Sequence, residues 1–299
     1  DHARPGHGAY LCEPNNIQLL RHRLSPDIKT QALPYGKMLR VNDVRITLFP
    51  AGHIIGSSQV LIEDKYERWV ISGDYSLSKD KLIAEFEPVK CDHFVTECTF
   101  GLPVFQWKPA EEVFDEMRSW WRKNVEKGHV SVIAAYSLGK AQRIIQNIGQ
   151  DIGPIYTHAA VENINEILRA EGIPIAKTTR IEGQGMEELR KGLIVCPPAA
   201  MGSRWIKKLG NYSEAFASGW MALRGARRRR GIEKGFILSD HADWHGLNKA
   251  VELSGASSVY STHGYTDIFS KWLQHKGLNA AVVKTDYHGE SGEQNNEEI

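Results

Sequence analysis

Short apolar runs recur along the chain, and many of them are rich in β-branched residues and end in glycine followed by a polar residue. Runs of this kind, bounded by turn-forming residues, are typical of β-strands. The pattern predicts strands at Val44–Phe49, Trp69–Ser72, Phe94–Thr96, Val130–Ala134, Leu193–Val195, Phe236–Leu238 and Ser258–Tyr260.

Helix-like stretches alternate with these strands. Pro109–Val125 carries acidic residues in its early turns, Lys140–Ile148 follows Gly139, and Val161–Glu171 is a third candidate. Alternation of strands and helices predicts an α/β fold. The section from about residue 101 to residue 231 has a strand and helix alternation of its own, which predicts a domain inserted into a first one.

Polar residues that can bind metals or move protons follow several of the predicted strands. They include His53, Asp74, His241 and His263. Because α/β folds usually build their sites beyond the carboxyl ends of strands, we expect these side chains to gather along one edge of a sheet.

Composition and charge describe an ordinary globular protein. The 299 residues are 41% hydrophobic and 24% charged, and the polar, acidic stretch after His288 predicts a flexible tail at 288–299. The net charge of +1 gives no general attraction for nucleic acid, so polyanion binding would depend on the basic run Arg224–Arg230. No apolar run is long enough to cross a bilayer and no signal peptide is visible, so we expect a soluble protein.

The four cysteines stand far apart and form no CxxC pair. This spacing argues against a disulfide scaffold and against a cysteine-rich zinc site. A reducing cytoplasm is the compartment that fits.

Histidine and carboxylate together are the ligands that zinc prefers among oxygen and nitrogen donors. One histidine after a strand is more often a capping or hydrogen-bonding residue than a ligand, but several strand ends here share the same chemistry. Glycines stand next to His53, Asp74 and His263, where they would allow close approach of the backbone to a metal or would simply make turns.

The order of these motifs resembles the metallo-β-lactamase-fold hydrolases. Asp1-His2 resembles the end of the HxHxDH signature of that family, and Gly52-His53 and Ser72-Gly73-Asp74 resemble the next two ligand motifs in order. The two histidines of HxH would stand directly before Asp1, so we expect them, and the strands before them, in the natural protein.

Further motifs resemble those of the β-CASP nuclease subgroup. Glu97, in Thr96-Glu97-Cys98-Thr99-Phe100-Gly101, is similar to motif A, His241 in Ser239-Asp240-His241-Ala242-Asp243 to motif B, and His263 to motif C. Gly139-Lys140-Ala141-Gln142 resembles the helix start that follows a β-CASP strand. The stretch from Ser218 to Trp244 is most similar to bacterial ligase-associated DNA exonucleases.

The resemblance implies an α/β fold made of a metallo-β-lactamase αββα sandwich with an inserted β-CASP α/β domain. The sandwich would comprise residues 1–104 and 232–287, without its N-terminal strands, and the insertion residues 105–231. It also implies two divalent metal ions, zinc or alternatively manganese. The implied catalytic residues are Asp1, Asp74, Glu97 and His241, and the implied metal ligands are Asp1, His2, His53, Asp74 and His263.

Roles follow from the same resemblance. Asp74 would bridge the two ions, and His241 would donate a hydrogen bond or a proton to the phosphate or the leaving oxygen, unless it only supports the ligands. Glu97 would accept the ring N–H of His2 and fix its tautomer, or it would be a buried ion-pair partner.

Two further groups could hold phosphates of a nucleic acid. Ser137, Gly139 and Lys140 lie at a strand-to-helix turn, although helix N-termini are common without any ligand. Arg227 and Arg228, within the basic run, could contact the backbone of nucleic acid, or the run could be a solvated loop.

These features predict a zinc-dependent phosphodiesterase acting on nucleic acid, most simply a cytoplasmic DNA exonuclease in DNA repair. The resemblance adds a DNA ligase and a helicase as partners, and no membrane. An RNA-processing nuclease of the same fold is the main alternative, because a histidine at motif C is usual in the RNA-acting relatives. A non-catalytic scaffold that binds nucleic acid is a third, and a small-molecule hydrolase such as a lactonase would leave the insertion and the arginine run without a role.

Overall fold

The computed structural model describes residues 3–225 and 233–283, which form two compact units. The first unit comprises residues 3–106 and 240–283, and the second comprises residues 107–225 and 233–239. The second unit is therefore inserted, in sequence, between the two parts of the first. Asp1, His2, Arg227, Arg228 and the predicted tail at 288–299 lie outside the described residues.

In the described ranges, the strands are β1 Tyr10–Cys12, β2 Thr30–Ala32, β3 Met38–Val41, β4 Val44–Pro50, β5 Ser58–Glu63, β6 Arg68–Ile71, β7 His93–Cys98, β8 Val130–Ala134, β9 Ile155–Thr157, β10 Thr179–Arg180, β11 Leu193–Cys196, β12 Tyr212–Ala217, β13 Lys234–Phe236, β14 Ser258–Gly264 and β15 Asn279–Val282. The α-helices there are α1 Ile17–Arg23, α2 Ala110–Glu126, α3 Lys140–Ile148, α4 Ala159–Ala170, α5 Met186–Lys191, α6 Arg204–Lys207, α7 Trp244–Ser254 and α8 Thr266–His275.

The first unit contains a mixed seven-stranded sheet in the order β15-β14-β7-β6-β5-β4-β3. Strands β15, β14, β7 and β6 are parallel to one another, and β5, β4 and β3 continue the sheet in antiparallel steps. Alternate residues such as Val70, Phe94 and Val259 are buried in one core with Leu247 of α7 and Phe269 of α8. The helices after the insertion therefore cover the sheet that was begun before it.

The second unit is built on a six-stranded, wholly parallel sheet in the order β10-β9-β11-β8-β12-β13. Every residue of β8, Val130–Ala134, is buried, as is every residue of β11. Strands buried on both faces read as continuous apolar runs, which is why the sequence pattern located them well.

Most of the predicted elements are present with small differences at their ends. Strand Val130–Ala134 and helix Lys140–Ile148 have the predicted bounds. The helix predicted from Val161 begins at Ala159, because the side chain of His158 accepts a hydrogen bond from the Ala160 amide and caps the first turn.

The strand predicted at Phe236–Leu238 was placed too late: β13 spans Lys234–Phe236. Its position is set by pairing with β12, in which Ala215 faces Lys234 and Ala217 faces Phe236. The structure therefore places this strand in the second unit, whereas the boundary predicted after residue 231 falls before it.

Two expectations drawn from composition concern the described residues. No helix within 3–225 and 233–283 is long and apolar enough to span a membrane. All four cysteines lie in these ranges, where each is buried and none forms a disulfide.

Candidate metal centre

The candidate residues of the first unit meet at one edge of the seven-stranded sheet. Asp74 follows β6, Glu97 lies near the end of β7, and His263 lies near the end of β14, and these three strands are parallel neighbours. His53 follows β4, which runs in the same direction as β6 because two antiparallel steps separate them. The predicted gathering of side chains at a carboxyl edge is what the sheet produces.

Gly52 lies at the start of the loop that carries His53, where only glycine fits. Its φ of +73° is unfavourable for other residues, and a Cβ atom there would stand 2.2 Å from the carbonyl oxygen of Ser76. The Ser76 amide in turn donates to the Ala51 carbonyl at 3.0 Å. Gly52 therefore lets the loop that carries His53 pack against the loop that carries Asp74.

His53 is held in the form that binds metals. Its side chain is 3% exposed, and its Nδ1 atom lies 2.9 Å from the main-chain oxygen of Asp240. Because a carbonyl only accepts, Nδ1 carries the proton and the lone pair is on Nε2, which lies 3.8 Å from Oδ2 of Asp74. Burial lowers the pKa of His53, and the neighbouring His241 lowers it further, so the ring is kept neutral.

Glu97 is 1% exposed and connects three segments of the first unit. Its carboxylate accepts hydrogen bonds from the Tyr75 amide at 2.8 Å, and from both the amide and the hydroxyl of Thr99. Its oxygens each lie 3.0 Å from Nδ1 of His241. Glu97 thus orients the imidazole of His241. The predicted contact of Glu97 with His2 stays a prediction, because His2 lies outside the described residues.

His241 is a strongly perturbed titratable group at this edge. Burial alone would lower its pKa, but the charge of Glu97, followed by that of Asp74, raises the pKa to about 10. The ring packs edge to face against His53 with 4.6 Å between centroids, and its side chain remains 17% exposed. A protonated imidazole at the rim of the site can donate a proton to an incoming group.

His263 lies on a distorted stretch of β14. Its φ is +56°, and the pairing of β14 with β7 shifts register between Thr262 and Gly264. A Cβ atom on Gly264 would stand 2.3 Å from the carbonyl oxygen of Cys98, and the Cys98 thiol donates to the His263 carbonyl at 3.1 Å. This irregularity in the strand, a β-bulge, changes the direction of the main chain at His263.

Two groups of donor atoms within the described residues could hold a metal ion. One consists of His53, Asp240 and His241, and the other of Asp74, Glu97 and His241, with the donor atoms of each group within 4.8 Å of one another. Imidazole nitrogens mixed with carboxylate oxygens fit zinc and manganese. His263 belongs to neither group, and the predicted ligands Asp1 and His2 lie outside the described residues.

The predicted phosphate-binding turn lies in the second unit, between β8 and α3. The Gly139 amide donates to Oε1 of Gln142 at 2.8 Å, so this amide is used within the helix start, and its contact with a phosphate stays a prediction. Lys140 was expected as an accessible ammonium, but its side chain is buried, with Nζ 4.7 Å from the centre of the Tyr136 ring. Ser137 is partly buried at the same turn.

Three residues of this structure were missed at the sequence level. Asp240 precedes His241, Thr99 follows Glu97 by two positions, and Gln142 stands in the helix start that was singled out. Each lies beside a residue that had been chosen, and the period of two along a strand could have pointed to Thr99.

Known proteins similar to this chain bear the names of nucleic-acid enzymes. The chain is 27% identical over 288 residues to a protein of Opitutus terrae named Probable DNA ligase. The match covers 96% of this chain and 28% of that protein. It is 29% identical over 119 residues to Cleavage and polyadenylation specificity factor subunit 3 of Dictyostelium discoideum, covering 39% of this chain and 15% of that protein. The figures are the same for Endoribonuclease YSH1 of Candida glabrata.

The chain thus spans less than a third of each of these relatives. No protein-family model matches the sequence. Among solved structures, a protein of unknown function from Enterococcus faecalis shares the fold, with a TM-score of 0.58 and 13% identity over 93% of this chain and 73% of that one.

Proposed function

We propose that this protein is a metal-dependent nuclease of the β-CASP family, with a metallo-β-lactamase domain in the first unit and a β-CASP domain in the second. The observation that carries the proposal is the convergence of His53, Asp74, Glu97 and His241 at one carboxyl edge of the sheet. The name endoribonuclease among the similar proteins supports it.

The residues at this edge divide the work of cleaving a phosphodiester. Divalent ions held there, two by family resemblance, would lower the pKa of bound water and offset the charge of the scissile phosphate. His53 and Asp74 would hold metal, together with Asp1, His2 and His263. The position of Asp74 supports this role, because its Oδ2 atom lies 3.8 Å from Nε2 of His53, the nitrogen that carries the lone pair.

His241 is the proton donor of the proposed reaction. Glu97 keeps Nδ1 of His241 protonated and holds the ring in place, and the leaving oxygen would take a proton from this imidazolium. The Tyr75 amide and the Thr99 hydroxyl hold the Glu97 carboxylate in place. Hydrogen bonds from these neighbours therefore fix Glu97, and Glu97 in turn fixes the orientation of the protonated His241 ring.

The favoured substrate is DNA, with the enzyme acting as an exonuclease in repair beside a ligase and a helicase. In support, the similar protein that matches 96% of this chain is named a probable DNA ligase. A cytoplasmic location is part of this proposal, and the four buried thiols without a disulfide support it. The basic run with Arg227 and Arg228, together with Ser137, would guide the strand.

RNA is the second candidate substrate. The specific observation in its favour is that proteins named endoribonuclease match 39% of this chain at 29% identity. His263 also favours RNA, because a histidine at motif C is usual in the RNA-acting nucleases that this chain resembles.

Cleavage of matched oligonucleotides tests the function. DNA and RNA strands of one sequence, labelled at the 5′ or the 3′ end, are incubated with the protein and Zn²⁺, Mn²⁺ or a chelator. We expect metal-dependent cleavage of DNA faster than of RNA, lost in Asp74→Ala and kept in Asp43→Ala, whose carboxylate is fully exposed.

Faster cleavage of RNA than of DNA would identify RNA as the substrate and contradict the proposal of DNA. Cleavage that persists undiminished in Asp74→Ala, with circular dichroism showing a native fold, would contradict the proposed site. A folded protein that binds nucleic acid and neither binds metal nor cleaves would be a scaffold.

A further inference from the structure

Asp240 occupies a buried position beside the two histidines of the candidate metal centre. It begins the segment 240–243 that leads into α7, and the segment is anchored by a 2.6 Å hydrogen bond from the Ala242 amide to the Tyr75 carbonyl. Asp240 is 6% exposed.

The main chain of Asp240 already acts on His53. Its carbonyl oxygen accepts the Nδ1 proton of His53 at 2.9 Å and so fixes the ring with its lone pair on Nε2. In metal sites, the partner of the second ring nitrogen commonly determines which nitrogen binds. Asp240 therefore orients a ligand without using its own side chain.

The side chain of Asp240 faces the same space. A carboxylate oxygen of Asp240, a ring nitrogen of His53 and a ring nitrogen of His241 lie within 4.8 Å of one another. Donors around a tetrahedral zinc, each at about 2.1 Å, stand roughly 3.4 Å apart. These separations place the Asp240 carboxylate and the His53 imidazole among the donors that could share one ion.

We propose that the Asp240 carboxylate is a ligand of the metal ion held by His53, in addition to the ligands that the motif order implies. The proposal rests on the proposed nuclease function for the presence of an ion. It gives one residue two duties: its carbonyl sets the tautomer of His53, and its carboxylate binds the ion that His53 binds. His241, held by Glu97, stays available as a proton donor.

Chemistry favours a carboxylate at this point. Imidazole suits zinc and carboxylate oxygen suits manganese, so a mixed set accepts either ion. A carboxylate also supplies negative charge close to the ion, whereas His53 and His241 supply none. Removing it should weaken the binding of both ions and weaken Mn²⁺ more.

Metal affinity measured by competition with a chromogenic chelator tests the assignment, with metal content measured separately. The variants are Asp240→Ala and the nearly isosteric Asp240→Asn. Both keep the main-chain carbonyl, so His53 keeps its orientation. Asp243→Ala is the matched control, because this nearby aspartate caps α7 by accepting from the Gly246 amide and belongs to neither donor group.

We expect at least a ten-fold weaker affinity for Zn²⁺ in both Asp240 variants and an affinity within two-fold of the parent in Asp243→Ala. Parent-like affinity in Asp240→Ala would overturn the assignment. An equal loss in Asp243→Ala would also overturn it, since the segment's fold would then explain both losses. Because cleavage is not the readout, an Asp240-dependent metal site in a protein that cuts no nucleic acid would contradict the nuclease function and keep this assignment.

Discussion

The Nδ1 atom of His241 lies 3.0 Å from both carboxylate oxygens of Glu97, two residues 144 positions apart in the sequence. The pair joins the end of β7 to the segment that follows the insertion. A charge-assisted contact of this kind, with one partner almost fully buried, favours the protonated imidazole. It makes the charge of His241 depend on a residue in the other half of the first unit.

Replacing Glu97 by glutamine should lower the pKa of His241. The folded-state pKa of about 10 lies above the ordinary value of 6.5, because Glu97 and Asp74 favour the charged ring. We expect the NMR resonance of His241 in the metal-free protein to titrate near pH 10, and its midpoint to fall in Glu97→Gln. An unchanged midpoint would show that Glu97 does not hold the proton.

The same pair makes stability depend on pH. A raised folded-state pKa contributes stability that is fully present below about pH 6.5 and is lost as the pH rises through about 10. Denaturant unfolding of the metal-free parent between these values should show this decline. Glu97→Gln should show less of it, and an equal decline in both proteins would assign it to other groups.

Thr99→Val should loosen the orientation of Glu97 without changing the size of the side chain. The hydroxyl of Thr99 donates to Oε2 of Glu97, and hydrogen bonds to charged groups contribute about 1.5–3 kcal/mol. We expect the free energy of unfolding to fall by about that amount, and the cleavage rate to fall about ten-fold or more with KM little changed. Thr99→Ser keeps the hydroxyl and should restore most of the rate; a rate as low as that of the valine variant would contradict the role.

Gly264→Ala should destabilise the fold more than Gly277→Ala. Both glycines have positive φ, +95° and +85°, which costs alanine about 1–2 kcal/mol. Only at Gly264 would the new Cβ meet the main chain, 2.3 Å from the Cys98 carbonyl oxygen, adding roughly 1–3 kcal/mol. Thermal or denaturant unfolding measures the difference, and equal losses would show that the bulge beside His263 is not tightly packed.

Gln142→Met should disturb the turn before α3. Oε1 of Gln142 accepts from the Gly139 amide at 2.8 Å, and Nε2 donates to the Ser137 carbonyl and to Oδ1 of Asn165, each at 2.9 Å. Losing these buried hydrogen bonds should cost about 1–3 kcal/mol of folding free energy.

Gln146→Met is the matched control on the same helix. Oε1 of Gln146 accepts from the Ala176 amide at 2.9 Å, a hydrogen bond that does not involve residues 137–139. We expect Gln142→Met to weaken binding of an oligonucleotide in the presence of a chelator more than Gln146→Met does. Equal affinity in the two variants would remove the 137–139 turn from the binding surface.

Much of the local structure is determined by the sequence alone. Val130–Ala134 and Lys140–Ile148 were predicted with their observed bounds, because a continuous apolar run and a glycine-led amphipathic stretch depend on neighbouring residues only. The convergence of residues that follow β4, β6, β7 and β14 was likewise predictable, since parallel strands end at a common edge. The positions of polar residues after the predicted strands were enough to predict that His53, Asp74 and Glu97 lie at one edge of a sheet.

Contacts between distant residues were decided only in the tertiary structure. The pairing of Glu97 with His241, the hydrogen bond from His53 to the Asp240 carbonyl and the burial of Lys140 depend on side-chain directions that no local pattern encodes. The edge strand Lys234–Phe236 was misplaced for the same reason, because its register is set by β12 and not by its own residues. The sequence therefore determined which strand ends share an edge, and packing determined which side chains contact and orient one another.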